Sequence, residues 1–203
     1  MPRVALSQDE IASFRERICA AASRLFAEQG YEAVTLRAIA AKIGCSPMTP
    51  YRYFRDKDEI FASVRAAAFR RFAAYKEAAI AGITDPALRL RALGRAYVAF
   101  ALADPDGYRI MFALLQGSAA EHPEVVRDGA RAWAPIRDAV EQAIEAGVLK
   151  GDVDTVAHLF WAGMHGIVSL ELAGKLNLGR DLRSLLNPML DSLLRGNAAD
   201  SAA

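Results

Sequence analysis

Apolar residues recur at spacings of three and four along nearly the whole 203-residue chain. No run alternates strictly between apolar and polar positions inside turn residues, so the period is helical and predicts an all-α fold of about nine helices. Ser7 and Glu10 have the order and spacing of a capping box. They open a first helix with Ile11, Phe14, Ile18, Ala22 and Leu25 on one face, and Gly30 stops it. Thr35 has the residue type of an N-cap, and Leu36, Ile39, Ala40 and Ile43 form the inner face of a short second helix closed by Gly44. After the turn Gly44-Cys45-Ser46, Ser46 is placed to cap a third helix that runs through Phe54. Asp56 and Glu59 repeat the capping-box spacing and open a long fourth helix ending near Gly82, with the stripe Phe61, Val64, Ala68, Phe72, Tyr75 and Ala79.

Beyond Gly82 the breaks are Asp85-Pro86, Asp104-Pro105, His122-Pro123, Gly151-Asp152 and Asn177 to Gly179. Asp before Pro supplies an N-cap followed by a residue suited to the first helical position. Five more helices follow, at roughly 85–103, 105–117, 123–146, 152–174 and 180–195, and Gly196 to Ala203 reads as a frayed polar tail. The organisation expected is an N-terminal three-helix domain over 12–72, with a helix-turn-helix at 35–54, joined by the long fourth helix to a C-terminal bundle over 83–195.

With 53% apolar and 24% charged residues the chain has a globular composition, which excludes fibrous and disordered classes. The longest stretch free of Asp, Glu, Lys and Arg runs from Thr155 to Leu170 and is interrupted by His158, His165 and Ser169. It falls short of the roughly 20 apolar residues a bilayer requires, so no membrane partner is expected. The opening MPRVALSQDE meets acidic residues before any apolar region, and two cysteines make no disulfide framework, so the expected location is the cytoplasm. The formal charge of +1 hides an asymmetry: 13 Lys and Arg stand against 9 Asp and Glu up to Ala81, and 12 against 15 after it. From Ala33 to Arg55 there is no acid, only Arg37, Lys42, Arg52 and Arg55. A polyanion selects such a stripe, although a solvated helix face produces the same pattern.

A helix of about eight residues, a Gly-containing turn and a second short helix is the outline of a helix-turn-helix, whose second helix enters the major groove. The segment TLRAIAAKIGCSPMTPYRYFRDKDEIF resembles the DNA-binding region of the TetR family of bacterial repressors. Gly44, Cys45, Ser46, Thr49, Tyr51, Tyr53, Phe54 and Lys57 stand at that family's positions. The resemblance covers about residues 10–72 and implies a homodimer that binds a near-palindromic double-stranded DNA operator. Pro50 and Phe54, four apart, are expected in the core, which turns Met48, Thr49 and Arg52 outward beside Pro47. Arg52 can pair with a guanine edge, Thr49 with a base or phosphate, and Met48 with a thymine methyl. Thr35, Arg37, Tyr51, Tyr53 and Lys57 are placed for phosphates, the alternative being that the tyrosines pack and the cations are merely solvated. Met48 stands where the family commonly has Gly, and Pro50 where it has an aliphatic residue. Pro50 cannot donate to the Ser46 carbonyl and pushes Thr49 from the α region, so the first turn should be loosened or 3₁₀-like.

Farther on, FWAGMHGIVSLELAGKL resembles the Trp-His-Gly segment of one TetR C-terminal subgroup, with Trp161, His165 and Gly166 in place. Gly163 and Gly166 equally suit a plain close helix contact, with Trp161 as core. Tyr108, Met111 and Phe112, then Trp133 and Ile136, then Trp161, Met164 and His165 are candidates to line a pocket for an apolar or aromatic effector, and a plain core uses the same residues. The family resemblance favours the pocket, with the long fourth helix transmitting the response. Leu182, Leu185, Leu186, Met189, Leu190 and Leu193 cover more of the last helix than one core needs, and mark it, with the helix before it, as the dimer interface. Asp154 and His158 could share a metal but fall short of a zinc site, and no nucleophile elbow, phosphate loop or dinucleotide fingerprint is present. The expected protein is therefore no enzyme and has no cofactor or metal. A helical adaptor without DNA binding and, less favoured, a metal-dependent helical enzyme are the alternatives.

Overall fold

The structure, a computed structural model, describes residues 7–112 and 122–199. Eight α-helices and one 3₁₀ turn account for almost all of it: α1 (Gln8–Gln29), α2 (Leu36–Ile43), the 3₁₀ turn Pro50–Arg52, α3 (Lys57–Ala79), α4 (Pro86–Ala103), α5 (Pro105–Met111), α6 (Pro123–Glu145), α7 (Val153–Leu172) and α8 (Leu182–Gly196). The fold is all-α. The expected sixth helix, 105–117, appears as α5, and its remainder from 113 lies outside the described residues.

The cap signals act as the sequence reads. The Ser7 amide donates to Glu10 Oε2 at 2.7 Å, and the Glu10 amide to Ser7 Oγ at 3.2 Å. Thr35 Oγ1 accepts from the Ala38 amide at 3.1 Å, and Gly44 closes α2 in the left-handed conformation at φ 71°, where a side chain would be strained. Asp85, Asp152 and Asp181 cap α4, α7 and α8 through their carboxylates. Each such cap contributes about 0.5–2 kcal/mol.

The chain divides into two compact units, with boundaries inside α3 after Phe69 and inside α6 after Asp128. The first holds residues up to Phe69 together with Asp106–Asp128. Its core joins Ile18, Ala22, Leu25 and Phe26 of α1 to Leu36 and Ile39 of α2, Phe54, Ile60, Phe61 and Val64 around α3, and Ile110 of α5. The second holds Arg70–Pro105 and Gly129 onward. There α4, α7 and α8 pack on one another through Leu90, Leu93, Phe160, Met164, Val168, Leu190 and Leu194. Close approach of α8 needs two glycines. A Cβ at Gly94 would lie 2.6 Å from Leu190 Cδ2, and one at Gly163 would lie 3.1 Å from Met189 Sδ. A Cβ at Gly166 would meet nothing within 4 Å among the described residues.

Three expectations are corrected. No α-helix runs from Ser46 to Phe54: the backbone there is wound by i to i+3 bonds, Thr49 N–H to Ser46 O at 2.8 Å, Arg52 to Thr49 at 3.1 Å and Tyr53 to Pro50 at 2.9 Å. The 3₁₀ character agrees with the missing N–H of Pro50, but Thr49 stays in the α region at φ −64°, ψ −45°, because its own amide and carbonyl both serve that tight winding. In the C-terminal half of α3 the inner face is Phe72, Ala73 and Lys76, with Ile80 buried just past the helix end, while Tyr75 and Ala79 face water. A lysine inside reads as polar in any hydrophobic pattern. Finally, the described part of the expected frayed tail, 196–199, is held: the Lys150 amide donates to Asn197 O at 2.8 Å and the Ala199 amide to Val148 O at 3.2 Å, forming an isolated antiparallel bridge between Leu149 and Ala198, while 200–203 lie outside the described residues.

Candidate nucleic-acid interface

Within the first unit the segment after Gly44 is fixed from behind by apolar burial and leaves a polar front. Pro50 and Phe54 are buried, whereas Pro47, Met48, Tyr51 and Arg52 are exposed and Thr49 is half-buried. Met48 is 67% and Tyr51 53% exposed, too open for packing residues. Ser46 does not cap a helix. Its Oγ accepts weakly from the Met48 amide at 3.4 Å, which steadies the turn that carries Met48. Thr35 and Arg37 lie exposed at the start of α2, where free backbone N–H groups favour anions.

Two expected phosphate ligands are turned to other tasks. The Lys57 ammonium donates to the carbonyls of Tyr31 at 2.9 Å and Glu32 at 3.4 Å and lies 4.1 Å from the centre of the Tyr31 ring, so it fastens the α1–α2 connection to α3. Tyr53 is half-buried and stacks on Phe14 with ring centroids 4.6 Å apart. Sequence reading missed Arg15, whose charge on α1 looks merely solvated. It donates to the Tyr53 carbonyl and to Glu59 Oε1 at 3.2 Å, and its guanidinium lies 3.9 Å from the centre of the Phe54 ring. One arginine thus clamps the end of the segment that carries Met48, Tyr51 and Arg52. Glu59 also accepts from the Arg55 amide at 2.7 Å. Asp56 accepts from the Glu59 amide and from Arg55, which holds its carboxyl below the usual range. Lys42 and Arg55, members of the acid-free stretch that were given no role of their own, are both exposed.

Residues 18–64 match the bacterial regulatory proteins of the tetR family, and residues 90–193, half of the chain, match the tetracyclin repressor-like C-terminal domain. The chain belongs to the TetR family. Among its relatives, the HTH-type transcriptional repressor Rv1474c of Mycobacterium tuberculosis is 43% identical over 61 residues, 30% of this chain and 32% of that protein. The HTH-type transcriptional activator FasR of Mycolicibacterium smegmatis is 32% identical over 98 residues, 48% of this chain and 45% of that protein. The chain therefore spans a third to a half of the length of these curated relatives. A solved structure from Rhodococcus sp. RHA1 superposes with a TM-score of 0.79 at 26% identity, covering 98% of this chain and 99% of that one.

The TetR-type C-terminal residues singled out by sequence fall in different units. Tyr108 and Met111 are buried and Phe112 half-buried in the first unit, where the Tyr108 and Phe112 rings meet at 4.9 Å. In the second unit Trp133 and Trp161 meet edge to face at 6.1 Å, His158 lies 4.5 Å from Trp133, and His165 lies 5.7 Å from Trp161. The Tyr97 hydroxyl shares a 3.1 Å hydrogen bond with His165 Nδ1, and burial lowers the His165 pKa. Ile136 and Met164 are buried beneath. Among the described residues no three His, Cys, Asp or Glu side chains form a metal site, and Asp154 instead pairs with Arg137 at 3.1 Å. No described helix is long and apolar enough to cross a membrane.

The residues of α8 named for the dimer interface differ in how open they are. Leu182 and Leu190 are buried in their own unit, while Met189 and Leu193 stand beside Gly163 of α7 and are half-buried. Leu185 and Leu186 are half-buried. The helix before α8, included in the same expectation, carries open apolar surface at Leu159 and Leu170, 46% and 45% exposed.

Proposed function

We propose that this TetR-family protein is a homodimeric, ligand-responsive regulator of transcription that binds a near-palindromic double-stranded DNA operator through its helix-turn-helix. The observation that carries this reading is the exposed set Met48, Tyr51 and Arg52, held by the buried Pro50 and Phe54 beside the exposed Thr35 and Arg37. Arg52 reads a guanine edge, Met48 touches a thymine methyl, and Thr35, Arg37, Thr49 and Tyr51 hold phosphates. The second chain docks against the outer face of α7, where Leu159, Ala162, Gly166 and Leu170 share one side by helix spacing and Gly166 leaves room for close approach. An apolar or aromatic effector acts on the C-terminal part, with Trp133, Trp161 and His165 as its contacts. Its binding is transmitted along α3, which is continuous through both units. Repression is the sign we assign, after the name of Rv1474c, and the name of FasR marks the opposite sign as the competing outcome. A gel-shift assay against pooled genomic fragments, with sequencing of the retained DNA, tests the reading. Retention of a palindromic site supports it, and equal retention of scrambled DNA overturns it in favour of an adaptor. A promoter fusion then gives the sign.

A further inference from the structure

Lys76 is 4% exposed, on the inner face of α3 in the second unit. Its Nζ donates to the carbonyl of Ala132 on α6 and stands 4.3 Å from the centre of the Phe72 ring. The nearest carboxylate in sequence, Glu77, is engaged elsewhere: Arg131 of α6 grips it with two bonds of 2.9 and 2.7 Å. Among the described residues the buried amine therefore has a carbonyl dipole and a ring face as partners but no carboxylate in an ion pair, a setting in which a full charge is costly. The titratable groups around it are Glu77 on α3, Arg131 on α6, Tyr97 on α4, whose ring meets Phe72 at 5.2 Å, and His165 on α7, held by the Tyr97 hydroxyl. The elements also carry a buried carboxylate, Asp128 of α6, which Arg127 holds at 3.1 and 3.3 Å; Glu77 is matched by Arg131 and is the one carboxylate whose charge acts on Lys76. Desolvation accordingly pushes the Lys76 ammonium from 10.5 down to about 7, with Glu77 as the smaller, opposing influence.

We infer that the α3–α6 contact is a proton-linked latch worked by Lys76: closing it releases a proton from this amine, and opening it to water takes one up. In water the amine keeps its proton up to the ordinary lysine range, while in the closed contact it gives it up near 7. Between those limits the opened state holds more protons, so a rise in pH tightens the latch, by about ten-fold in the closing constant for each pH unit through the middle of the window. Below about 7 both states hold the proton and the dependence levels off. Any effector that favours an opened contact must bind with proton uptake and lose affinity as pH rises. This inference does not depend on the DNA-binding reading.

The chain has five lysines, few enough to follow one by one. Protein labelled with ¹³C at lysine Cε is titrated by NMR in its native state, alongside the Lys76→Met variant. One resonance with a midpoint near 7 that vanishes in the variant is the expected result, and five lysines that all titrate in the ordinary range near 10 overturn the latch. Thermal unfolding of both proteins across the same pH range is the second reading. The advantage of the Met variant should be greatest at and below neutrality and should shrink as pH rises toward 10, whereas parallel curves overturn the inference. If Lys76→Met fails to fold, the resonance is assigned in otherwise native protein by Lys→Arg replacement at positions 42, 57, 150 and 175, and the same midpoint decides.

Discussion

Pro50 changes what its neighbours can offer to DNA. With no N–H to give, it leaves Ser46 O to the Thr49 amide and winds the segment tightly, so Met48, Tyr51 and Arg52 are presented from turns, with no regular helix face behind them. Arg52→Ala should relax base preference at a cost of about 1–3 kcal/mol for the operator and leave nonspecific binding nearly unchanged. Arg37→Ala, at the exposed start of α2, should weaken all sequences alike and lower the salt slope by about one. Competition gel shifts over a salt series separate the two effects. Lys57 belongs to another class. Because its ammonium ties two carbonyls and a ring together, Lys57→Met should lower stability by about 1–3 kcal/mol, with operator affinity changed only as far as folding is, and urea unfolding beside DNA titration checks this.

Among the helices, the closest contact is α4 against α8. A Cβ at Gly94 would stand 2.6 Å from Leu190, itself wholly buried, so Gly94→Ala should cost about 1–3 kcal/mol through overpacking and outweigh the roughly 1 kcal/mol gained in helix propensity. Shortening the partner tests the cause: Leu190→Ala should make the Gly94→Ala step neutral or favourable, and a urea midpoint series for the four proteins measures the coupling. The helices themselves were legible because caps are local signals. Ser7, Thr35, Asp85 and Asp152 each declare a helix start through their own side chain and the next three residues. Much of the candidate DNA face was legible for the same reason, since Gly44 and Pro50 act on the backbone beside them. What could not be read depends on partners far along the chain. Lys57 is satisfied by carbonyls 25 and 26 residues away, Arg15 by groups 38 and 44 away, and Lys76 by one 56 away. A charged residue whose partner is that distant looks like a solvated one. Leu182 and Leu190 of α8 show another limit: hydrophobic width shows that a helix is covered on several sides, not whether its own chain or another covers each residue.

For the whole molecule, the proposed dimer turns on the α7 surface. Leu159 and Leu170 are eleven residues apart, hence within about 20° of each other around the helix, and both are open to water. Glu at both positions should give monomers in sedimentation and abolish operator binding while the circular dichroism stays helical; an unchanged mass would move the interface off α7. Effector response is tested by reciprocity. A compound that weakens operator binding must itself bind more weakly by the same factor when operator is present, and calorimetry with and without DNA that gives equal affinities would leave a binder with no regulatory coupling. One small feature bears on how the molecule meets force. The bridge between Leu149 and Ala198 fastens the chain after α8 to the turn that follows α6. A pull on the C-terminal end, from a fused tag or from a protease that unravels its substrate, is therefore borne first by the Ala199–Val148 and Lys150–Asn197 bonds, and the load passes to α8 only after they part. The last described residues act as strain relief for the helix that Gly94 and Gly163 let into the core.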